Sequence, residues 1–136
     1  MSIVTARTLL EGRLNAITPS LSTAWENVLF TPVANTPYQR VNLLVSDIKN
    51  PCINDKMYET TGFLQVMLCY PLATGAKNAY ARAEMIQDSF CFGLQLTSGA
   101  VKVLIHKTPQ IAPAIINGDR YEIPVSIYFA VAKYPS

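Results

Sequence analysis

Two stretches of the chain place apolar residues at steps of three and four, the spacing of an amphipathic helix. The first runs from Ile3 to Ile17 and the second from Thr74 to Phe92. Gly93 follows the second at the position where a left-handed residue commonly ends a helix. The two apolar stripes are Ile3, Ala6, Leu10, Leu14 and Ile17, and Ala76, Ala79, Ala83, Ile86 and Phe90. The polar face of the second helix is expected to carry Lys77, Arg82, Gln87 and Asp88.

Four other stretches have the alternation or the continuous apolar character of β-strands: Tyr38–Asp47, Thr60–Tyr70, Val101–His106 and Arg120–Lys133. Thr60–Tyr70 is apolar on both faces, which predicts a central strand. The last stretch keeps its two-residue period unbroken, while Pro124 within it favours an edge or bulge position. A shorter segment, Ala24 to Phe30, is expected to form a short strand or an extended arm.

Two connections are long for so small a chain. Ile48 to Glu59 is predicted to be a loop of about a dozen residues, and connections of that length are commonly functional. Thr108 to Asn117 is predicted to be a second one, with two prolines and three isoleucines. These two connections are the natural places to look for contacts with other molecules.

The element order α-β-β-β-α-β-β predicts an α+β fold. We expect a mostly antiparallel or mixed sheet of about four to five strands with two helices packed on it. The chain has 136 residues, the length of one domain, and neither a repeat nor a linker divides it. We therefore expect a single domain spanning residues 1–136.

Charge and composition narrow the classes of partner. Only 15% of the residues are charged, which predicts an uncharged part of the surface, as in a subunit that packs against neighbours. The 11 basic and 9 acidic residues are scattered, so no sequence-specific nucleic-acid partner is predicted. The longest apolar stretch, about eleven residues from Phe63 to Ala73, is shorter than a membrane span. No signal peptide is recognisable, and we expect folding in a reducing cytoplasm.

Catalytic and metal-binding constellations lack most of their parts. His106 is the only histidine, and the solvated pair Glu84 and Asp88 has no feature that would separate its two pKa values. Asp47, Asp55 and Glu59 flank the first long connection but lack the spacing of a calcium loop. Cys52, Cys69 and Cys91 form no C-x-x-C motif, and Cys69 and Cys91 are expected to be small buried residues. The sequence predicts no enzyme activity, no metal site and no cofactor.

Three stretches together resemble a family encoded in the tail modules of long-tailed phages and prophages. They are Trp25-Glu26-Asn27-Val28 with Phe30-Thr31-Pro32, Pro37-Tyr38-Gln39-Arg40-Val41, and Gly118-Asp119-Arg120-Tyr121-Glu122-Ile123-Pro124-Val125. The family is similar in fold to the tail terminator proteins, and the resemblance covers nearly the whole chain. It also includes the segment Thr61-Gly62-Phe63-Leu64-Gln65-Val66.

The resemblance implies a structural subunit of the virion. Such proteins assemble with themselves into a ring, expected to be a hexamer, at the head-proximal end of the tail. The ring would contact the phage tail tube protein on one side and the head-tail connector protein on the other, after assembly in the cytoplasm of the bacterial host. Another head-tail joining or minor tail role is an alternative. A small-molecule binding module or enzyme is an alternative of a different class.

Candidate interface residues come from Trp25 and from the two long connections. Trp25 lies between two proline-containing turns and is either a core residue or an interface anchor. The candidates are Trp25, Asn50, Pro51, Asp55, Lys56, Met57, Tyr58, Pro109, Gln110, Ile111 and Pro113.

Overall fold

The computed structural model describes residues 2–17, 21–49, 58–72, 75–99 and 101–133. In these ranges the chain forms two helices and eight strands, which gives the predicted α+β class. The helices are α1 (Ser2–Asn15) and α2 (Lys77–Ser89). The strands are β1 (Ser22–Ala24), β2 (Tyr38–Lys49), β3 (Tyr58–Pro71), β4 (Gln95–Ser98), β5 (Val101–Leu104), β6 (Gln110–Ile111), β7 (Ile115–Asn117) and β8 (Arg120–Lys133).

All eight strands belong to one mixed sheet, with the order β1-β2-β3-β8-β5-β4. β6 and β7 also pair with β8, on the same side as β5. β1 runs parallel to β2, and the other pairs are antiparallel. The predicted count of about four to five strands was too low. The missed strands, β1, β4, β6 and β7, have only two to four residues and are too short to show a period.

Both helices pack their apolar stripes against one face of the sheet, as predicted. The predicted stripe residues are buried from Ala6 to Leu14 in α1 and at Ile17, just beyond the end of the helix, and Ile3 packs at their margin. In α2 the buried face includes Arg82, which the sequence placed on the polar face. Arg82 lies three residues after Ala79 and four before Ile86, so the helical period turns it toward the sheet. Gly93 follows α2 with a positive φ of 90°, and Thr74 lies outside the described residues.

The three long strands supply most of the core. β8 has the bounds predicted for it, and its alternate residues Ile123, Val125, Ile127, Phe129 and Val131 are buried under the helices. β3 lies between β2 and β8, which confirms the predicted central strand. Val66 of β3 pairs with Val41 on one side and with Val125 on the other, at the middle of the core.

Both long connections are shorter than predicted. Lys49 pairs with Glu59, so β2 and β3 extend into the first connection and only 50–57 remain between them. Half of the second connection pairs with β8, through Ile111 opposite Val125 and Ile116 opposite Tyr121. The alternating pattern does not reveal these strand residues. In the first connection the paired residues are polar, and in the second the paired segments are very short.

Pro124 occupies a central strand, where an edge or bulge was predicted. It pairs with Met67 of β3, and its carbonyl accepts a hydrogen bond from the Ala112 N–H (2.9 Å) between β6 and β7. The nitrogen and carbonyl of one strand residue point to the same side, so the N–H that proline lacks would face this interruption. The ladder therefore loses no donor.

Gly62 is required by a close approach of β2. The register between β2 and β3 shifts between Val45 and Asp47, opposite Gly62. A Cβ atom on Gly62 would overlap the carbonyl oxygen of Leu44 and lie 3.1 Å from the Val45 Cα. The irregularity in β2 therefore depends on a residue without a side chain.

Candidate assembly interface

The chain turns back directly after β1. The Val28 N–H donates to the Trp25 carbonyl (3.2 Å), and Asn27 has a positive φ of 60°. The strand or arm predicted over Ala24–Phe30 is therefore wrong beyond its first residue. Trp25 itself is half-buried and packs against the core.

Beyond the end of β1, the Glu26 side chain binds a backbone group of β2. Its Oε1 accepts a hydrogen bond from the Leu43 N–H (2.8 Å), and its Oε2 lies 3.4 Å from the Arg7 guanidinium on α1. The Leu43 hydrogen bond lowers the pKa of Glu26 most strongly; burial opposes it and the Arg7 guanidinium lowers the pKa further, so the net shift is downward. The carboxylate thus occupies a backbone donor that would otherwise be open to another strand.

Arg120 is bonded to the later part of the connection between β1 and β2. The guanidinium is buried and donates to the carbonyl oxygens of Val33 (2.7 Å) and Thr36. It also lies over the ring of Tyr38, 5.0 Å from the centroid, and the Phe30 ring packs 5.2 Å from Tyr38 on a tilted plane. The connection is therefore attached to β2 and β8 rather than free in solvent.

A buried carboxylate lies beside this attachment, on the sheet face opposite the helices. Glu122 accepts a hydrogen bond from Arg40 (3.1 Å), and its other oxygen lies 3.5 Å from the Asn117 amide. The Cys69 thiol donates to the same oxygen at 3.6 Å. Burial, with the carboxylate next to it, raises the pKa of Cys69 to about 11, so the thiol is a poor nucleophile at neutral pH.

The candidates at 109–113 divide into inward and outward residues. Pro109 is buried, and its carbonyl accepts a hydrogen bond from the Gln87 side chain of α2 (2.9 Å). Ile111 packs against the core. Gln110 is exposed and accepts a hydrogen bond from the Tyr128 hydroxyl (3.2 Å), and Pro113 is exposed as well. Only Gln110 and Pro113 of this group present their side chains to a partner.

The remaining candidates belong to the stretch of sequence between β2 and β3 and to the start of β3. Asn50, Pro51, Asp55, Lys56 and Met57 lie outside the described residues, as does Cys52. Tyr58 is the first residue of β3 and is described by its backbone. These residues stay candidates.

Six exposed apolar side chains that were not among the candidates lie in two places, while Val4, Leu44, Val45 and Phe92 are exposed elsewhere. Val28, Leu29 and Val33 lie on the β1–β2 connection, with Leu29 95% exposed. Leu72, Ile115 and Ile116 lie where β3 ends and β7 runs, with Ile116 69% exposed. No periodicity marks these residues, because the β1–β2 connection is irregular and β7 has only three residues. Their apolar character within turn-rich segments was the available signal.

The second group borders an apolar depression of about 280 Å³. It is lined by Pro71, Leu72, Gly75, Ala76, Ile116 and Tyr121. Its lining is aliphatic, small or aromatic, with no carboxylate, amide or basic side chain. Such a lining favours an apolar side chain over a polar ligand, which needs convergent polar groups for its orientation.

The titratable residues that the sequence analysis weighed for catalysis lie in solvent. His106, Glu84 and Asp88 are exposed. Cys91 is also exposed, which corrects the buried position predicted for it; it lies just beyond α2, where the chain leaves the core. Within the described ranges no three metal-ligating side chains come together, and neither helix is long and apolar enough to cross a membrane.

A family model described as phage tail terminator protein matches residues 5–129. The chain belongs to the phage tail terminator protein family. The matched range contains β1 to β7 and α2 completely, with most of α1 and β8. It confirms the resemblance drawn from the sequence and indicates a structural role in the phage tail.

A solved structure whose name states no function has the same architecture. It is 26% identical in sequence and superposes with a TM-score of 0.79, covering 100% of this chain and 99% of that chain. No curated protein matches the chain. This terminator-family chain therefore shares its fold with the solved relative over the whole length.

Proposed function

We propose that copies of the chain form a closed ring, a hexamer, that caps the phage tail tube. The ring stops further polymerisation of the tube and offers a surface to the head-tail connector protein. The observation that carries this proposal is the match of the tail terminator family to residues 5–129. In this proposal the ring lies at the head-proximal end of the virion tail, after assembly in the host cytoplasm.

The distribution of apolar surface supports a ring. A ring of identical subunits joined head to tail needs two different contact surfaces on each subunit. Six of the exposed apolar residues form two separate groups, one after β1 and one at the end of β3 and along β7. Its low charged fraction, 15%, agrees with a subunit that covers part of its surface.

The contacts along the tail axis require further surfaces. The sequence between β2 and β3, with Asn50, Pro51, Asp55, Lys56 and Met57, is one candidate. Gln110 and Pro113 are the exposed part of the other. In this proposal one of these surfaces meets the tube and the other meets the connector, while Trp25 packs in the core of its own subunit.

The mass of the protein in solution tests the proposal. We expect light scattering over a range of concentrations, with and without magnesium, to detect a species near six times the 15.0 kDa chain. The same measurement is made with assembled tail tubes present, in case the tube end serves as template. A chain that stays monomeric in both conditions would contradict the proposal.

Tail length distinguishes the proposed role from a head-tail joining role. In a phage that lacks this protein, electron microscopy should show tails that grow beyond the normal length, because polymerisation has no stop. Tails of normal length that fail to join heads would instead assign the chain to head-tail joining.

A further inference from the structure

One asparagine of the chain precedes a glycine. Asn117-Gly118 is the sole Asn-Gly pair in the sequence, and it lies where β7 turns into β8. Glycine has no side chain, so its backbone nitrogen can approach the side chain of the preceding residue more closely than any other residue's nitrogen can. Asn-Gly is therefore the pair at which a backbone nitrogen most readily attacks an asparagine side chain.

The turn leaves the reacting groups accessible. Asn117 pairs with Arg120, so Gly118 and Asp119 form a two-residue hairpin turn, and Gly118 has the positive φ, 60°, that such turns favour at their first position. Asn117, Gly118 and Asp119 are all exposed. The pairing joins the residues that flank the turn and leaves the Gly118 N–H outside the ladder.

Strand β7 has little to hold it against β8. It has three residues, all of them exposed, and it pairs with β8 alone in the described sheet. Opening it exposes little further apolar surface, and segments with few buried contacts have the lowest free energies of local opening. The reaction needs this opening, because in an extended strand the next backbone nitrogen points away from the carbonyl carbon of the side chain.

We propose that Asn117 is a site of spontaneous deamidation. The Gly118 nitrogen attacks the carbonyl carbon of the Asn117 side chain and forms a C–N bond. The bond from that carbon to the side-chain nitrogen breaks, and ammonia leaves with the proton of the Gly118 N–H. Water then adds to one of the two carbonyl groups of the resulting succinimide and opens the ring. Opening on one side gives aspartate, and opening on the other gives isoaspartate, whose backbone runs through the former side chain.

The product carboxylate lies beside one that is already buried. The Asn117 amide donates to Oε2 of Glu122 at 3.5 Å, and the Cys69 thiol donates to the same oxygen. Arg40 lies 3.1 Å from the other oxygen of Glu122. Deamidation replaces the amide donor with a second negative charge, and like charges at such a distance repel. The modified subunit therefore holds β7, with Ile116 of the apolar depression, less firmly against β8.

Mass spectrometry of the aged wild-type protein tests the site. Trypsin releases residues 108–120 as one peptide, in which Asn117 is the single asparagine. After weeks at pH 8, we expect this peptide to gain the mass that separates an acid from an amide and to give two products in chromatography, aspartate and isoaspartate. An unaged sample digested alongside corrects for deamidation during digestion.

The tryptic peptide 14–40 is the matched control. Its three asparagines precede alanine, valine and threonine, so the attacking nitrogen always belongs to a residue with a side chain. We expect residues 108–120 to be converted several times as fast as residues 14–40. Equal rates in the two peptides, or conversion of 108–120 without isoaspartate, would overturn the proposal.

Two variants separate the added charge from the lost hydrogen bond. Asn117→Asp reproduces one product, and Asn117→Ser removes the amide without adding a charge. At pH 7 we expect Asn117→Asp to unfold at a lower urea concentration than Asn117→Ser and to show faster hydrogen exchange at the β7 amides. Equal behaviour of the two variants would contradict the effect on Glu122. The reaction requires one subunit only, so its failure leaves the proposed ring untouched.

Discussion

The buried guanidinium of Arg120 donates a hydrogen bond to the carbonyl oxygen of Val33 at 2.7 Å, across 87 positions of the chain. The first residue of β8 thus determines where the β1–β2 connection lies. Exposed residues on that connection keep a defined position because Arg120 of β8, two strands away from β2, is bonded to it.

Loss of this attachment should be measurable in stability. Arg120→Ala removes the donors for two carbonyl groups and the contact over Tyr38, and we expect a loss of about 2–4 kcal/mol in the free energy of unfolding. Arg120→Lys should recover only part of it, since an ammonium group lacks the guanidinium fork. Urea unfolding gives the free energies. Hydrogen exchange should also accelerate at the Thr36 amide, and unchanged exchange there would argue against the attachment.

The close approach at Gly62 makes a second prediction. Gly62→Ala places a methyl group against the Leu44 carbonyl, and we expect a loss of about 1–3 kcal/mol from overpacking. Gly12→Ala is the control, because no atom lies within 4 Å of its added methyl group and it is part of α1. That variant should gain about 0.5–1 kcal/mol from helix propensity. Similar effects in both variants would mean that the irregularity of β2 tolerates a side chain.

The ionised Glu26 side chain should make the free energy of unfolding depend on pH. Its pKa is lowered from 4.5 in the folded chain, so its ionised form stabilises the fold above pH 4.5, and this contribution is lost as the pH falls through the folded pKa. Glu26→Gln should therefore be less stable than wild type at pH 7, and the difference should narrow below pH 4.5. Glu84→Gln, at an exposed position, corrects for the loss of one surface carboxylate. A difference that does not change with pH would contradict the role of the ionised carboxylate.

The two described free thiols should react at different rates. In a Cys52→Ser background at pH 8, an alkylating reagent should modify Cys91, which is exposed, and spare Cys69. Burial and a pKa of about 11 leave little thiolate at Cys69. In urea both should react, as mass spectrometry of the digested protein would show. Equal modification in the folded protein would indicate that β3 opens near Cys69.

The elements predicted best are those with a long, regular pattern. β8 was predicted with both of its bounds because six apolar residues alternate without a break from Tyr121 to Val131. The stripe of α1 was predicted for the same reason. By contrast, β6 pairs through Gln110 and Ile111, and two residues carry no period. Such strands form because β8 presents a free edge, which is a property of the folded sheet.

The burial of the candidate interface residues was not predictable from the sequence, for a related reason. Ile111 and Pro109 have the apolar character of contact residues, but the fold turns both inward. Leu29 looked like part of a short strand or arm, and its exposure depends on a turn at Asn27 and on the attachment of Phe30 to Tyr38. Those relationships join distant parts of the chain, and local patterns do not contain them.

Strand β8 pairs with β3, β5, β6 and β7, all of which precede it in the chain. A ribosome synthesises the chain from its N-terminus, so none of these four strands can pair with β8 until residues 120–133 have been made. Until then only the β1–β2, β2–β3 and β4–β5 pairs can form. Such distant pairings also slow folding, so the surface that depends on β8 is complete only after residues 120–133 have paired with the strands before them.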